Sequence, residues 1–343
     1  MVFKVGLVGL GMAVTPHAKS LLDLKDRVEV AYAFSPSEER RKAFAQRFAF
    51  PQCERLETIL EDRSVDAVLV LTPPNTHLEL ASRFAVAGKH VLLEKPLEIS
   101  TARAEQLVQR CSKVKLGVVL QHRFRPAVEK LRELLPSLGR LVSASATIGN
   151  WRPQSYYDQP GRGTRARDGG GVLLTQGIHT LDVFLSLAGE PSEVKSFATT
   201  TPVHRMETED LVCAAVRFAN GALGIVQATT AAYPGFPERI ELIGTNGTAL
   251  LEGNALRVEF VDGGRFDLKS NAGAAGAGAD PMAFPHDWHR GVLADFLDAI
   301  EKDRPPRVNG TEALRVHRFI DMLLQTPRSA GRDRAGELFS PLE

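Results

Sequence analysis

The stretch that decides the fold is FKVGLVGLGMAVTPH, residues 3–17 of the 343-residue chain. Its first half is a short apolar run that fits a buried strand, and its second half opens a helical pattern. A glycine turn between a strand and a helix either only reverses the chain or binds a nucleotide phosphate. The elements that follow decide between these two interpretations.

The first third of the chain alternates short β-branched runs with amphipathic segments. The strand candidates are 4–9, 27–34, 65–72, 90–95 and 115–121, and the helix candidates between them are 17–26, 37–49, 55–62, 77–88 and 101–113. Strands that alternate with helices form right-handed crossovers and a parallel sheet covered on both faces. The sequence therefore predicts the α/β class, with a doubly wound Rossmann domain over residues 1–120.

The pattern changes after residue 120. One more amphipathic helix, 126–136, precedes longer alternating segments joined by turn signals such as ANG, TNG and DGG. A helix pair follows at 287–303 and 311–326. We predict that residues 121–343 form an α+β domain with an open, mostly antiparallel sheet. The glycine- and alanine-rich run 271–279 is predicted to be a loop.

Composition excludes several classes of protein. The net charge of +1 gives no electrostatic reason to expect nucleic acid or a membrane surface as a partner, since both usually need a concentrated basic face. Cys53, Cys111 and Cys213 match no metal-ligand spacing, so we expect reduced buried thiols, no disulfide and no metal site. No signal-peptide pattern is present, and no stretch reaches the roughly 20 apolar residues that span a bilayer. We expect a cytoplasmic protein without nucleic-acid or membrane partners.

The glycine turn has the residues of a phosphate site. Gly9 permits the sharp turn, and Gly11 lets the backbone approach a pyrophosphate stabilised by the helix N-terminus, where Met12 and Ala13 lie. Val14 stands where the full fingerprint has a third glycine. The alternative is a plain structural turn, but the strand-to-helix context favours the cofactor site.

The end of the second strand bears on cofactor choice. Ser35 occupies the place where an acidic residue would bind the ribose hydroxyls of NAD, and Arg40 and Arg41 follow it. A hydroxyl beside guanidinium groups favours NADP, with NAD as the other option. The alternative is that Ser35 and Ser37 only cap the next helix while the arginines face solvent.

Two further loops follow predicted strands and reach the same sheet edge. In LTPPNTH, residues 71–77, the candidates to border the cofactor are Thr72, Pro73, Asn75 and His77. The alternative for this loop is an N-cap of the next helix, and for His77 alone a structural role is favoured.

The second loop is GKHVLLEKPLEIS, residues 88–100, which delivers Glu94 and Lys95 to the sheet edge. Desolvation lowers the pKa of a lysine towards neutrality, which suits a proton donor or acceptor beside nicotinamide. The alternative for a Glu-Lys-Pro tripeptide is an exposed turn.

The second domain carries a polar cluster at 151–182, WRPQSYYDQPGRGTRARDGGGVLLTQGIHTLD. An arginine-rich loop runs through Asp168 and three glycines into a helix. Helical spacing places Thr175, His179 and Asp182 on one face. A lone helical histidine is usually structural, but the polar run on an apolar helix favours a functional His179.

These motifs together resemble the glucose-fructose oxidoreductase, inositol dehydrogenase and rhizopine-catabolism (Gfo/Idh/MocA) oxidoreductases. The resemblance rests on the GLG turn, TPPNTH, EKP at 94–96, GGGVLLTQGIH at 169–179 and WHRGVLADFLDAIEKDRPPRVNG at 288–310. It implies a Rossmann domain and a second domain whose open sheet binds substrate on one side and forms dimers or tetramers on the other. It also implies that Lys95 and His179 are paired proton-handling residues and that the Lys95–Pro96 bond is cis.

The chain departs from the family pattern next to the histidine. Thr175 and Gln176 stand where many members have an acidic residue, and the cluster looks most like members that act on nucleotide-linked amino sugars. The residues proposed to bind substrate are Arg123, Tyr157, Arg162, Arg165, Asp168, Thr175 and Gln176. Surface solvation is the alternative for each arginine.

The functional hypothesis is an NAD(P)-dependent dehydrogenase with Lys95 and His179 as its catalytic residues, a homodimer or homotetramer acting on a sugar, sugar acid or nucleotide sugar. One alternative is an NADP-binding sensor without catalysis. The other is an enzyme that cleaves glycosides with the help of a transient oxidation.

Overall fold

A computed structural model describes residues 2–269 and 285–325; the loop predicted at 271–279 lies outside these ranges. The first sheet has six parallel strands in the order β3-β2-β1-β4-β5-β6. They are β1 Phe3–Val8, β2 Val28–Phe34, β3 Gln52–Cys53, β4 Ala67–Val70, β5 His90–Leu93 and β6 Leu116–Val118. The crossover helices are α1 Val14–Asp23, α2 Glu38–Ala45, α3 Leu56–Glu61, α4 His77–Val86 and α5 Thr101–Arg110. The predicted Rossmann topology is confirmed.

The central strand of this sheet sets the position of the site. Val8, the last residue of β1, lies opposite Phe34 of β2 and Val70 of β4. Because the strand order reverses between β1 and β4, a crevice opens outside their carboxyl ends. The short strand β3 was not predicted, since two residues carry no periodicity.

The second sheet has eight strands in the order β14-β13-β12-β11-β7-β10-β9-β8. They are β7 Leu141–Gly149, β8 Pro191–Thr199, β9 Leu211–Phe218, β10 Leu223–Thr229, β11 Arg239–Gly244, β12 Gly247–Glu252, β13 Ala255–Phe260 and β14 Arg265–Leu268. Among the strands of the described ranges, the β7–β10 pair is parallel and the other pairs of this sheet are antiparallel, so the predicted open, mostly antiparallel sheet is confirmed. Buried and exposed residues alternate along β9 and β10, so one face is buried and the other open. Cys213 lies on the open face of β9, which corrects the expectation that all three thiols are buried.

Within the described residues, six α-helices follow the first domain along the chain. They are α6 Pro126–Leu134, α7 Gln154–Tyr157, α8 Arg165–Asp168, α9 Ile178–Ala188, α10 Asp287–Glu301 and α11 Gly310–Leu324. Helix α9 packs between the buried face of the sheet and α11. The segment Arg165–Ala188 has the length and the mean hydropathy, 1.3, of a membrane span, which differs from the expectation, but 83% of its apolar window is buried, as in a core helix.

Helix α10 returns to the first domain. Val292 and Phe296 of α10 belong to the same apolar cluster as Val5 and Leu7 of β1. Helix α10 therefore completes the core beneath the first sheet. The domain boundary at residue 120 stays a prediction. Helix α10 packs on the first domain although more than 150 residues separate it from β6, the last strand of that domain.

The run Gly169–Gly171 lies close to backbone on two sides, with Gly169 against the first domain and Gly171 against another segment of the second domain. Gly169 has φ +76°, and a Cβ there would lie 2.5 Å from Cα of Ile99, just after the EKP loop. A Cβ on Gly171 would lie 1.8 Å from the carbonyl oxygen of Glu209. Only glycine permits both approaches. A π-helical turn, Leu173–Gly177, follows at once and leads into α9.

Replacing Gly171 with alanine tests the close packing of Gly171 on Glu209 within the second domain. The new methyl group clashes with backbone, which cannot rotate away, so we expect Gly171→Ala to lower the free energy of unfolding by about 3 kcal/mol or more. Gly149→Ala is the control, because the nearest atoms there stand 3.6 Å from the added Cβ. Urea denaturation of both variants measures the difference, and equal midpoints would contradict this account.

Candidate active site

A cavity of about 1160 Å³ lies between the carboxyl edge of the first sheet and the second domain. Both domains line it. The predicted site residues that it brings together are Gly9, Gly11, Met12, Ala13, Ser35, Arg40, Thr72, Pro73, Asn75, Glu94, Lys95, Arg162, Asp168, Thr175, Gln176 and His179. The two strand-end loops and the second-domain cluster therefore face one space.

The glycine turn after β1 fits a pyrophosphate. Gly9 has φ +102°, and a Cβ there would lie 2.8 Å from the backbone of Leu71. A Cβ on Gly11 would have no atom within 4 Å, so its cavity side is open to a ligand. No side chain caps the N-terminus of α1 at Ala13. Backbone N–H groups at such an end attract anions.

In the loop after β2, one serine caps the next helix and the other borders the cavity. Ser37 caps α2, since its hydroxyl accepts the N–H of Arg40 at 3.2 Å. Ser35 is buried, lines the cavity and accepts the N–H of Ser37. Arg41 turns away and donates to the carbonyl of Ser35, whereas the Arg40 side chain borders the cavity. In the described ranges, no carboxylate from residues 35–40 lines this part of the cavity.

Lys95 follows β5 and reaches across to the second domain. Its Nζ donates to the backbone carbonyl of Thr175 at 2.9 Å, and the Thr175 hydroxyl donates to the carbonyl of Gly171. Burial lowers the pKa of Lys95; the charge of Glu94 opposes this, and those of Arg162 and Arg152 reinforce it. The Lys95–Pro96 bond is cis, as the family resemblance implied.

A cluster beneath Lys95 contains Glu94, His17 and His289. His17 Nε2 donates to Glu94 Oε1 at 2.8 Å, and the His17 and His289 rings meet edge to face. Burial raises the pKa of Glu94, but the hydrogen bond from His17 and nearby cations outweigh it and lower the pKa to about 2. Burial lowers the pKa of His289 to about 3. The three ligand atoms lie within 4.8 Å of one another, so the cluster has donor types suited to a divalent cation. The expectation of no metal stays a prediction.

His179 lies on the cavity wall next to a second histidine. Its ring stacks on His122 with centroids 4.6 Å apart, and burial lowers the pKa of both imidazoles well below the usual value. His122 Nε2 accepts from Arg125 at 2.5 Å, because a guanidinium only donates. Arg125 is in turn paired with Glu238 and lies over the Trp288 ring. Both histidines are therefore neutral at physiological pH.

Arg123 and Asp182 are corrections to the sequence interpretation. Arg123 is buried away from the cavity and binds Asp182 through two hydrogen bonds, at 2.6 and 2.7 Å, and Glu312 through a third. This network ties the turn before α6 to α9 and α11. Arg123 and Asp182 therefore do not line the cavity, and the charge of Arg123 is paired within the protein.

Three other predicted residues lie outside the cavity. The Tyr157 hydroxyl donates to Thr230 in the core, and Arg165 is exposed on the far side of its loop. The His77 ring contacts the backbone carbonyls of Thr72, Pro96 and Leu97, so it joins two loops rather than facing a ligand. The structural alternative favoured for His77 is therefore the one observed.

Several residues that line the cavity were not predicted from the sequence, among them His122, Arg152, Tyr156, Arg167 and His289. His122 and Tyr156 are immediate neighbours of residues that were chosen. The sequence signal was present there, but it did not tell which neighbour faces the cavity. His289 lies on α10, far along the chain, and nothing local marks it.

Known proteins match both domains. The model of an oxidoreductase family with an NAD-binding Rossmann fold matches residues 3–122, and the GFO/IDH/MocA C-terminal domain matches 128–250. Myo-inositol 2-dehydrogenase of Thermotoga maritima is 30% identical over 71% of this chain and 73% of its own. D-xylose 1-dehydrogenase (NADP(+)) 2 of Haloferax volcanii is 26% identical over 95% and 97%.

The fold is also that of a solved structure. The WlbA dehydrogenase of Bordetella pertussis, in complex with NADH and UDP-GlcNAcA, superposes with a TM-score of 0.82 at 24% identity, covering 95% of this chain and 96% of that one. At this identity the likeness shows the fold alone. The two family matches, set beside the Rossmann sheet and the open second sheet, show that the chain belongs to the Gfo/Idh/MocA family of oxidoreductases.

Proposed function

We propose that this chain transfers a hydride between a nicotinamide dinucleotide and a CH–OH carbon of a sugar or sugar derivative. The observation that carries the proposal is that Lys95 and His179 line one cavity with the glycine turn, and that Lys95 binds the backbone one helical turn before His179. The dinucleotide, when bound, supplies the hydride acceptor or donor. Relatives named as inositol and xylose dehydrogenases act on such carbons.

Lys95 is the group proposed to move the proton. When an alcohol is oxidised, its carbon loses a hydride while its oxygen loses a proton, so a base must lie within hydrogen-bond reach of that oxygen. Burial lowers the pKa of Lys95 and so favours the neutral amine, which is the form that accepts the proton. In the reverse direction, the ammonium form donates to the carbonyl oxygen and stabilises negative charge there.

His179 is proposed to position the reacting oxygen rather than to store the proton. Because its pKa lies well below the usual value, the ring stays neutral through the working pH range. A neutral imidazole both donates and accepts hydrogen bonds. Its buried Nδ1 has no partner among the described residues, so the ring is oriented by stacking on His122.

NADP is the proposed cofactor. Ser35 and the Arg40 side chain border the cavity after β2, and no carboxylate of this loop does so within the described ranges. A carboxylate there would repel a 2′-phosphate, whereas a guanidinium attracts it. One relative over nearly the whole chain carries NADP(+) in its name.

The proposed assembly is a homodimer or homotetramer in the cytoplasm, with a small-molecule substrate and no nucleic-acid or membrane partner. The open face of the second sheet supports self-association, since Phe197, Leu223 and Ile225 are 80%, 54% and 62% exposed there. An apolar patch of this kind is typical of an interface between subunits. Residues 1–120 and 121–343 are the proposed domains.

Replacing Lys95 tests the chemistry. With no group to accept the proton, Lys95→Met is expected to lower turnover by ~10²–10⁴-fold while the chain still binds nicotinamide dinucleotide. Absorbance of the reduced cofactor reports turnover with a panel of sugars, and fluorescence titration reports binding. Lys113→Met, at an exposed position, is the control. If the wild-type chain binds cofactor but oxidises and reduces no sugar, the sensor alternative replaces the proposal. Release of a leaving group without an absorbance change would indicate glycoside cleavage instead.

The pH profile of oxidation tests the assignment of the base. Only the neutral amine accepts a proton, so kcat/KM for alcohol oxidation rises with pH through the pKa of Lys95, which lies below the ordinary lysine value of 10.5. The charge of Glu94 raises this pKa, so Glu94→Gln is expected to move the rising limb to lower pH. An unmoved limb, in a variant that still binds cofactor, would assign the base elsewhere.

Cofactor preference is tested at Arg40. Loss of one charge-assisted contact with a 2′-phosphate is worth about 1.5–3 kcal/mol, so Arg40→Gln is expected to weaken NADPH binding by about tenfold or more and to leave NADH binding unchanged. Lys42→Gln, on the same helix but outside the cavity, is the matched control. Equal effects on both cofactors would contradict the preference.

A further inference from the structure

The second-domain wall of the cavity carries two arginines on either side of one tyrosine. The guanidinium carbon of Arg162 lies 4.9 Å from the centre of the Tyr156 ring, and that of Arg152 lies 5.9 Å from it. All three residues line the cavity. Neither Arg152 nor Tyr156 was among the residues proposed from the sequence.

The Arg162 side chain has no acidic partner on the protein. Within residues 2–269 and 285–325 it makes no hydrogen bond or ion pair, and its Nε is buried. A buried guanidinium N–H without an acceptor is costly, so a site of this kind is incomplete without a ligand.

The carboxylates that line the cavity already have partners. Asp168 accepts the N–H of Gly163 at 2.8 Å, and Glu94 accepts from His17. Glu79 and Glu238 are paired with arginines that do not line the cavity. The acceptor that Arg162 lacks is therefore not supplied by these groups.

The arrangement suits an oxyanion. A guanidinium presents parallel N–H groups that match a carboxylate or a phosphate, and stacking on an aromatic ring fixes its orientation in advance. Both arginines lie near enough to Lys95 to lower its pKa, so their charges act at the substrate end of the cavity. An anion bound there offsets the mutual repulsion of three cations.

We propose that Arg152 and Arg162, flanking Tyr156, form a subsite for an anionic group of the substrate, a carboxylate or a phosphate carried by the sugar. The proposal rests on the proposed function for one point, namely that the reacting molecule is a sugar. With such a subsite, the preferred substrates are anionic sugars and not neutral sugars or polyols.

Calorimetric titration of the chain saturated with reduced cofactor tests the subsite. The probes are neutral sugars with their acid and phosphate counterparts: D-glucose, D-glucuronate and D-glucose 6-phosphate, and the same series from D-galactose and D-mannose. At least one acid or phosphate is expected to bind about tenfold or more tightly than its neutral counterpart. Tighter binding of the acid indicates a carboxylate subsite, and tighter binding of the phosphate indicates a phosphate subsite. Added salt is expected to reduce the gain in affinity.

Variants locate the effect. Arg162→Gln is expected to remove the advantage of the anionic probe and to leave cofactor affinity unchanged, which also reports that the variant is folded. Arg162→Lys, which keeps the charge but loses the planar fork, is expected to retain part of it. Arg165→Gln is the matched control, since Arg165 belongs to the same loop but is exposed and outside the cavity.

The outcomes separate this proposal from the proposed function. If no acid or phosphate binds more tightly than its neutral counterpart, or if Arg162→Gln weakens both alike, the subsite is overturned. Turnover of neutral sugars in that case would leave the dehydrogenase function standing. Selective binding of an anionic probe without turnover of any sugar would uphold the subsite and overturn the dehydrogenase function.

Discussion

The hydrogen bond from Lys95 Nζ to the backbone carbonyl of Thr175 is the contact on which the site depends, because it joins the two domains where the proposed chemistry takes place. It requires a strand of the first sheet to deliver the lysine and a helix of the second domain to present a carbonyl at one point. Gly169 allows the backbones of the two domains to approach at Ile99, and Gly171 allows the same segment to pack on Glu209 within the second domain. The π-helical turn Leu173–Gly177 then presents the carbonyl, and such turns are frequent at functional sites.

The choice of a carbonyl as the partner has an electrostatic consequence. A carboxylate would favour the ammonium form of Lys95, whereas a carbonyl dipole accepts a hydrogen bond from either the amine or the ammonium. Thr175 stands where many family members carry an acidic residue, and its hydroxyl is used within the turn. The carboxylates near Lys95 are Glu94, which accepts a hydrogen bond from His17, and Asp168, which accepts one from the N–H of Gly163; burial outweighs their effect on the pKa of Lys95. The pKa of Lys95 therefore remains lowered by burial.

The fold could be predicted from the sequence because its signals are local and periodic. Five predicted strands, each followed by a predicted helix, fix the parallel sheet, and the carboxyl ends of its strands then meet at one edge. This is why Gly11, Thr72 and Lys95 were found. The return of α10 to the first core was not predictable, since its apolar face matches either domain equally well. Nor was the π-helical turn, which no residue pattern marks.

Within the second domain, the sequence indicated segments that line the cavity, but in two of them a neighbouring residue faces it instead of the one predicted. In QHRFRP, Arg123 was predicted to bind substrate, but Arg123 pairs with Asp182 in the core, and His122 faces the cavity. In YY, Tyr156 lines the cavity and Tyr157 is buried. A 3₁₀ turn and a four-residue helix carry these residues, and neither is long enough for its buried face to be read from spacing.

The arginines and Thr175 act on Lys95 in the same direction. Both guanidinium groups and the missing carboxylate favour the neutral amine in the chain without substrate. An anion bound at Tyr156 would offset the arginine charges and raise the pKa of Lys95 again, so the amine would become a stronger base once an anionic sugar is in place. Substrate binding and proton transfer would then be linked through charge alone, without movement of either domain. A neutral sugar would bind without this effect, which gives the same two arginines a part in selecting the substrate and in preparing the base.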